Sequence, residues 1–317
     1  MENKKMTVGK VVVALALGMT IGMAGKSFAS FSSDDAGTRS AQFLKLGVGA
    51  KAIGMGEAYT AIADDADAIY YNVAGLAFSE KKSAEYMFSK YVADTSYHWV
   101  AFGMPISESL GAAGVAIQYF TAGDIDKTDK SANVNGTFSP SDMAVNLSYA
   151  HKFMGENSAG LNLKIINSKI DNSATAFAVD LGAQTRRFME GKLLLGMAIQ
   201  NLGSSLKYEN DDSKLPVLIK VGGGYKVQAN WVAALDVILP EDNGPQVALG
   251  TDYKYVIQEG MNISGRLGYN TKAVQVTGFN GLTVGVGFGY QMASLDYAWM
   301  PMGDLGDTHR ISLGIKF

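Results

Sequence analysis

From Ser83 to the end of the chain, apolar residues alternate with polar or small ones at a period of two. Leu282, Val284, Val286, Phe288 and Tyr290 face one way, and Thr283, Gly285, Gly287 and Gly289 the other. Met261, Ile263, Leu267 and Tyr269 alternate in the same way with Asn262, Ser264, Arg266 and Gly268. His309, Ile311, Leu313, Ile315 and Phe317 alternate with Arg310, Ser312, Gly314 and Lys316. A period of two marks extended strands, whose successive side chains point to opposite faces. The pattern predicts strands near 83–93, 97–104, 110–120, 141–152, 158–167, 175–187, 192–201, 215–225, 231–239, 247–255, 261–270, 281–291, 294–300 and 308–317. That is about fourteen segments of about ten residues, an even count and the length a tilted strand needs to cross a bilayer.

Polarity separates a soluble sandwich from a membrane barrel. A sandwich would turn polar residues outward and apolar ones to its core. Here nearly every strand carries an apolar face, and the other face is Gly, Ser, Asn, Lys and Arg. That inversion suits lipid outside and a polar or plugged lumen inside. Tyr149, Tyr225, Trp231, Tyr269, Tyr290 and Trp299 fall near strand ends, where aromatic girdles meet the membrane interfaces. The connections agree. Counted from the first hairpin, every even one is short, such as Pro105–Ser109, Phe153–Asn157 and Lys226–Asn230. The long polar ones are all odd, such as Thr121–Pro140, Leu202–Lys214 and Thr271–Asn280. Short periplasmic turns and longer external loops are the habit of outer-membrane barrels.

The balance of 27 basic and 30 acidic residues gives no basic excess for a nucleic-acid partner. The absence of cysteine excludes disulfides, thiolate metal sites, a cysteine nucleophile and a lipoprotein anchor. Lys4, Lys5 and Lys10 precede an apolar run, Val11–Ala24, that is too short to span a bilayer. Ser27-Phe28-Ala29 then offers a small-x-small cleavage site. Residues 1–29 are therefore expected to be a secretory signal peptide. Residues 30–80 form an N-terminal segment and 81–317 the barrel. Ser30–Ser40 is polar and expected to be flexible.

Between leader and barrel lies a helix-compatible, small-residue-rich stretch, Gly54–Ala77, with Asp64, Asp65 and Asp67 close together. One of these carboxylates is expected to cap a helix over Ala68–Phe78. An EF-hand would need further oxygen ligands and a distant glutamate, so no metal is assigned. The inward glycines Gly285, Gly287 and Gly289 sit in a strand with no helix after it, which excludes a phosphate loop. They are better explained by something packed against the wall, and the Gly54–Ala77 stretch is the candidate. Arg266 is expected on the same lumenal wall. Asp64 and Asp65 are expected to act as caps or as partners of lumenal Arg and Lys. The three histidines, His98, His151 and His309, make no HExxH spacing, and no Gly-x-Ser-x-Gly elbow is present. Ser148 and His151 differ by three positions and fall on opposite strand faces. No catalytic residue and no cofactor is assigned.

Phe43-Leu44-Lys45-Leu46-Gly47-Val48-Gly49-Ala50-Lys51-Ala52, Gly54-Met55-Gly56-Glu57-Ala58-Tyr59, Ala63-Asp64-Asp65-Ala66 and Asn72-Val73-Ala74-Gly75-Leu76 together resemble the N-terminal signature of the PorV/PorQ family of outer-membrane proteins. Gly306–Phe317 resembles that family's last strand, and a C-terminal aromatic such as Phe317 resembles the signal read by the barrel-assembly machinery. Family members resemble the fatty-acid transporter FadL, a fourteen-stranded barrel with an N-terminal hatch in its lumen. The resemblance makes Lys51, Gly54, Met55, Gly56, Asp64, Asp65, Asn72, Val73 and Gly75 hatch or gate residues. Three positions depart from the family pattern: Val73 stands where proline is usual, Tyr71 where tryptophan is, and Lys51 where arginine is common. Two functions are implied. One is passage of a hydrophobic small molecule from an external apolar pocket past the hatch. The other is an accessory role in type IX secretion, in which the barrel receives the C-terminal domain of an exported protein. The loop Thr121–Pro140, with Asp124, Asp126, Lys127, Asp129 and Lys130, is polar, which fits a protein partner or plain solvation.

Overall fold

The computed structural model describes residues 35–91, 94–170, 172–208, 211–273 and 276–317; the expected signal peptide lies outside the described residues. The strands are β1 (Ser83–Lys90), β2 (Ser96–Ser107), β3 (Gly111–Thr121), β4 (Ile125–Thr128), β5 (Val134–Phe138), β6 (Ser141–Phe153), β7 (Asn157–Lys169), β8 (Ser173–Phe188) and β9 (Leu193–Gly203). They continue with β10 (Leu206–Tyr208), β11 (Asp211–Ser213), β12 (Leu218–Gln228), β13 (Trp231–Pro240), β14 (Gln246–Gln258), β15 (Met261–Asn270), β16 (Leu282–Tyr290), β17 (Ala293–Pro301) and β18 (Asp307–Lys316). Fourteen of them close a barrel in the order β1-β18-β17-β16-β15-β14-β13-β12-β9-β8-β7-β6-β3-β2. The first and last strands meet antiparallel, from Ser83 opposite Lys316 to Lys90 opposite His309. Phe317 exchanges two backbone hydrogen bonds with Lys82 just beyond that seam. Closure leaves no sheet edge, the condition a sheet must meet in lipid.

The expected inversion of faces is present. In β18, Thr308, Arg310 and Ser312 are buried, whereas His309, Ile311, Leu313 and Ile315 are exposed. In β15, Ser264 and Arg266 are buried while Ile263, Leu267 and Tyr269 face out. The outer band of Leu, Ile, Val and Tyr has lipid as its solvent, so the apolar core of this protein lies on both sides of its wall. Loop lengths keep the expected alternation, which sets the long-loop end outside the cell. No helix among the described residues is long and apolar enough to cross a membrane.

The strand limits differ from the periodicity reading by a few residues. Strand β1 stops at Lys90 because Tyr91 turns, its N–H bonding the Thr95 carbonyl. The eighth wall strand starts at Leu218 rather than 215, since Leu215 is buried in an apolar cluster inside the mouth. Two small hairpins were not foreseen. β4–β5 lies in the loop after β3, and β10–β11 in the loop after β9. β4 is exposed along its whole length, so burial imposes no alternation on it.

Candidate functional site

The N-terminal segment descends the inside of the barrel from the external rim. Residues 30–34 lie outside the described residues; within the rest of the stretch expected to be flexible, Ser40 N–H bonds the Lys214 carbonyl at 3.1 Å. Arg39 pairs with Glu241 at 2.9 Å, and Asp242 accepts from Gln42 at 2.7 Å and pairs with Lys45 at 2.8 Å. Phe43 and Leu44 then bury themselves among the inward residues Ala144, Ile166 and Ala176 and the loop residues Leu206 and Leu215.

Below this, a short helix, α1 (Ala50–Gly54), leads to a tight Gly54–Gly56 turn set against the wall. A methyl group at Gly54 would come within 2.8 Å of the Gly285 Cα. At Gly250 it would meet the Met55 carbonyl oxygen at 2.2 Å. Inward polar side chains bind the segment's backbone at this level. The Thr283 hydroxyl accepts from Gly56 N–H at 3.0 Å and donates to the Gly54 carbonyl at 3.2 Å. Asn270 donates to the Gly56 carbonyl at 2.8 Å, and Asp236 accepts from Tyr59 N–H at 3.0 Å and Thr60 N–H at 2.8 Å. These bonds come from strands β13, β15 and β16; on the opposite side Trp99 of β2 donates to Asp67 at 2.8 Å. Contacts on opposite sides of the lumen mean that the segment is enclosed by the wall.

The single helix expected over Ala68–Phe78 is broken. It forms as α2 (Ala68–Tyr71) followed by a 3-10 turn, Val73–Phe78. Asn72 between them is extended, at φ −162°, because its side chain is bound elsewhere. Its amide donates to the Thr60 carbonyl at 2.9 Å and the Ala183 carbonyl at 3.0 Å, and its oxygen accepts from Ala74 N–H at 3.2 Å. Val73 packs on Gly160 and Gly182 of the wall. Gly75 is needed within the segment, where a methyl group would lie 2.2 Å from the Ala63 carbonyl oxygen. Tyr71 uses its hydroxyl to reach the Val48 carbonyl at 2.8 Å. Ile53, Ile69, Tyr71 and Leu76 are all fully buried. Burial of each such side chain contributes about 1.5–3 kcal/mol to holding the segment in place.

At the start of α2, Asp67 has no capping bond from its side chain. Asp64 and Asp65 lie beside basic side chains, the second of the two roles expected of them. Asp65 lies 3.4 Å from Lys51 and 3.6 Å from Lys316, and accepts from the Tyr59 hydroxyl at 3.4 Å. The half-exposed Asp64 is 3.5 Å from Arg186. On the wall, Arg266 bridges Asp252 at 3.2 Å and Asp296 at 2.6 Å. Of the four wall residues expected against the segment, Gly285 and Arg266 touch it at Gly54. Gly287 and Gly289 do not. A methyl group there would meet the wall's own Asp296 and Arg266, or Asn262. These long side chains hold a cleft of about 220 Å³ open at the periplasmic end, between Lys51, Asp65 and Glu85 on one side and Asp252 and Arg266 on the other.

Two smaller cavities lie on the external side of the segment. One, of about 120 Å³, is bounded by Lys45, Glu57, Tyr70, Leu218, Lys220 and Lys272. The other, of about 130 Å³, is bounded by Leu46, Tyr91, Val276, Met300, Pro301 and Met302. Glu57, Asn270 and Lys272 border both. Burial lowers the Lys45 pKa from its ordinary value, and the carboxylate of Asp242 opposes that shift.

The sequence reading missed Asp236, Asn270 and Thr283, which seat the segment, and Lys220, which faces an external cavity. Each is a polar residue on the lumenal face of a strand, so the signal was present but shared with many solvated neighbours. Ser148 and His151 are not brought together: the Ser148 hydroxyl donates to Asn162, inside the lumen.

A closed fourteen-stranded antiparallel barrel with an apolar exterior and an enclosed N-terminal segment is an outer-membrane β-barrel. The chain belongs to the family described as "Type IX secretion system protein PorV", whose sequence model matches residues 30–243. Among solved structures it is similar to the Pseudomonas putida toluene transporter TodX, with a TM-score of 0.58 and 10% identity over 85% of this chain and 97% of that one. The Ralstonia pickettii toluene transporter TbuX gives a TM-score of 0.54 at 12% identity, covering 86% and 98% of the two chains. A Pseudomonas aeruginosa FadL homologue gives 0.52 at 11% identity, covering 82% and 95%. No curated protein sequence matches the chain. At such identities the likeness speaks for fold alone.

Proposed function

We propose that this protein is a non-enzymatic, plugged barrel that binds a small hydrophobic molecule on the external side and lets it pass the N-terminal segment, which acts as a hatch. The observation that carries this reading is the external cavity bordered by Leu46, Val276, Met300, Pro301 and Met302, which opens directly onto that segment. A concave, largely apolar site with a few polar groups is what a small hydrophobic ligand needs. The toluene transporters TodX and TbuX, similar in fold, lend support from what their descriptions say of those proteins.

A second reading draws on the family description, which names the type IX secretion system. In it, the external mouth receives the C-terminal domain of an exported protein. Native mass spectrometry of the protein extracted from its own membrane separates the two. A retained lipid-like or aromatic molecule is the expected result. A co-purified secreted polypeptide with no small ligand would transfer the assignment to secretion. Deleting residues 41–78 tests the hatch: the barrel is expected to insert, migrate heat-modifiably on gels and leak small solutes. Unchanged conductance would remove the hatch role.

A further inference from the structure

Two carboxyl groups meet inside the seam where β1 and β18 close the barrel. Asp67, on the N-terminal segment, is fully buried. Its Oδ1 accepts from the indole N–H of Trp99 on β2, and its Oδ2 has no hydrogen-bond partner. The carboxyl fills the space a side chain would need at Gly49, where a methyl group would overlap Oδ2. Glu85 points inward from β1, within hydrogen-bonding reach of Asp67 and of Ser312 on β18. Its Oε1 is buried and also lacks a partner. Ser312 accepts from Ala50 N–H at 2.8 Å, so the segment is tied to three strands at this one place. The neighbouring cations serve another group. Lys51 of α1 and Lys316 of β18 lie 3.4 Å and 3.6 Å from Asp65. Lys51 also attracts Asp67, but less strongly than Asp65 repels it. Asp296 of β17 adds a further negative charge that acts on Glu85. Tyr71 and Tyr97 act on Asp67 as well, and as phenols they are uncharged at neutral pH. Ionising both carboxyl groups would place two like charges together in a buried site without a cation of their own, so the pair keeps one proton. That proton also adds a donor where each carboxyl has an oxygen without one.

We propose that Asp67 and Glu85 share one proton and that the shared proton latches the N-terminal segment to the barrel seam, releasing it as the pH rises. The inference rests on the reading of the segment as a hatch and supplies its regulation. Glu85 borders the periplasmic cleft, so protons exchange with the pair from that side. Burial, and after it the charge of Asp65, push the Asp67 carboxyl up to about 7, with the Trp99 bond opposing them. In the released segment Asp67 is a solvated carboxyl with the ordinary pKa of about 4. Between these two values the released state is ionised while the docked state still holds its proton. Docking is therefore strongest in acid, weakens by up to about tenfold per pH unit over that window, and levels off once the docked pair has ionised. Release frees the segment on the side where the cleft already separates it from β14–β18.

The test is the conductance of the protein in planar bilayers as a function of pH, beside the variant lacking residues 41–78. Wild-type conductance is expected to rise several-fold from about pH 5 to about pH 7 and to change little above that. Asp67→Asn and Glu85→Gln each put an amide donor in place of the proton, and both are expected to stay at low conductance across the range. Asp129→Asn in the external loop is expected to keep the wild-type profile. Infrared spectra at about pH 6, where solvated carboxyl groups are ionised, are expected to show a protonated-carboxyl band that Asp67→Asn and Glu85→Gln each reduce. Heat-modifiable migration checks that each variant is folded, and the wild-type profile is decisive without any variant. A flat wild-type profile beside a leaky deletion overturns the latch and leaves the hatch reading standing. A rise that persists in both amide variants overturns the pair as its source. A carboxyl band that neither variant reduces overturns the shared proton. A deletion that conducts like wild type at every pH overturns the hatch reading and the latch with it.

Discussion

The two sides of the enclosed segment meet the wall in different ways. Toward β7, β8 and β9 the contact is dry and backbone-close: Asn72, Val73 and Thr60 lie against Gly160, Gly182 and Gly196. Toward β14–β18 the lower part of the segment meets long charged side chains, and the cleft lined by Lys51, Asp65, Asp252 and Arg266 remains. Toward β14–β16 the segment is held just as closely at the Gly54–Gly56 turn, against Gly250, Gly268 and Gly285, and stands off only below that turn. A glycine lets two backbones touch and leaves no room for solvent, whereas a salt-bridged side chain needs several ångströms of its own. The contrast locates the gap at the periplasmic end beside β14–β18.

The grip is broken most severely by filling a glycine seat. Gly250→Leu puts side-chain atoms where the Met55 carbonyl lies, and neither backbone can retreat cheaply. The expected result is a barrel that still migrates heat-modifiably but whose single-channel conductance rises several-fold; wild-type conductance in a folded variant would show that the turn at Gly54–Gly56 is not a seal.

The charged side is sharpened by Arg266→Met, which leaves Asp252 and Asp296 facing each other without their cation. Stranding buried charges costs about 3–5 kcal/mol, to be read from the denaturant midpoint of the refolded barrel. A midpoint within error of wild type would mean that water in the cleft already screens the triad.

Asn72→Ala removes three hydrogen bonds on the dry side. At about 0.5–1.5 kcal/mol each, a loss of a few kcal/mol of local stability is expected, seen as faster amide exchange in residues 60–78 with the barrel strands unchanged.

Val73→Pro has the smallest expected effect and the opposite sign. Val73 opens a 3-10 turn, where proline is tolerated, and Asn72 before it is already extended, as a residue preceding proline must be. A gain of about 0.4–1 kcal/mol is expected; a destabilised variant would mean that the Val73 side chain's contact with Gly160 outweighs the backbone entropy.

Strand number, loop alternation and the inverted polarity were legible because each depends on local rules. A strand that spans lipid must alternate, and its length is set by the bilayer. Residues such as Ile263, Arg266, Ile311 and Ser312 announce their faces by position alone. The interior of Gly54–Leu76 was legible only in outline. Its acids looked like caps because carboxylates before a short helix usually are, and nothing local said that Trp99, Lys51 and Arg186 would claim them first.

What the sequence by itself determined was therefore the container: an exported chain, a barrel wall, and a small-residue segment suited to lie against it. What only the tertiary structure decided was which inward residue meets which part of that segment. Thr283, Asn270 and Asp236 are ordinary lumenal polar residues until closure of the barrel brings them, from sequence positions more than 170 residues away, to the backbone at Gly54–Thr60. Period and composition act along the chain, whereas the pairing of buried charges depends on distances across the lumen, which no local pattern encodes.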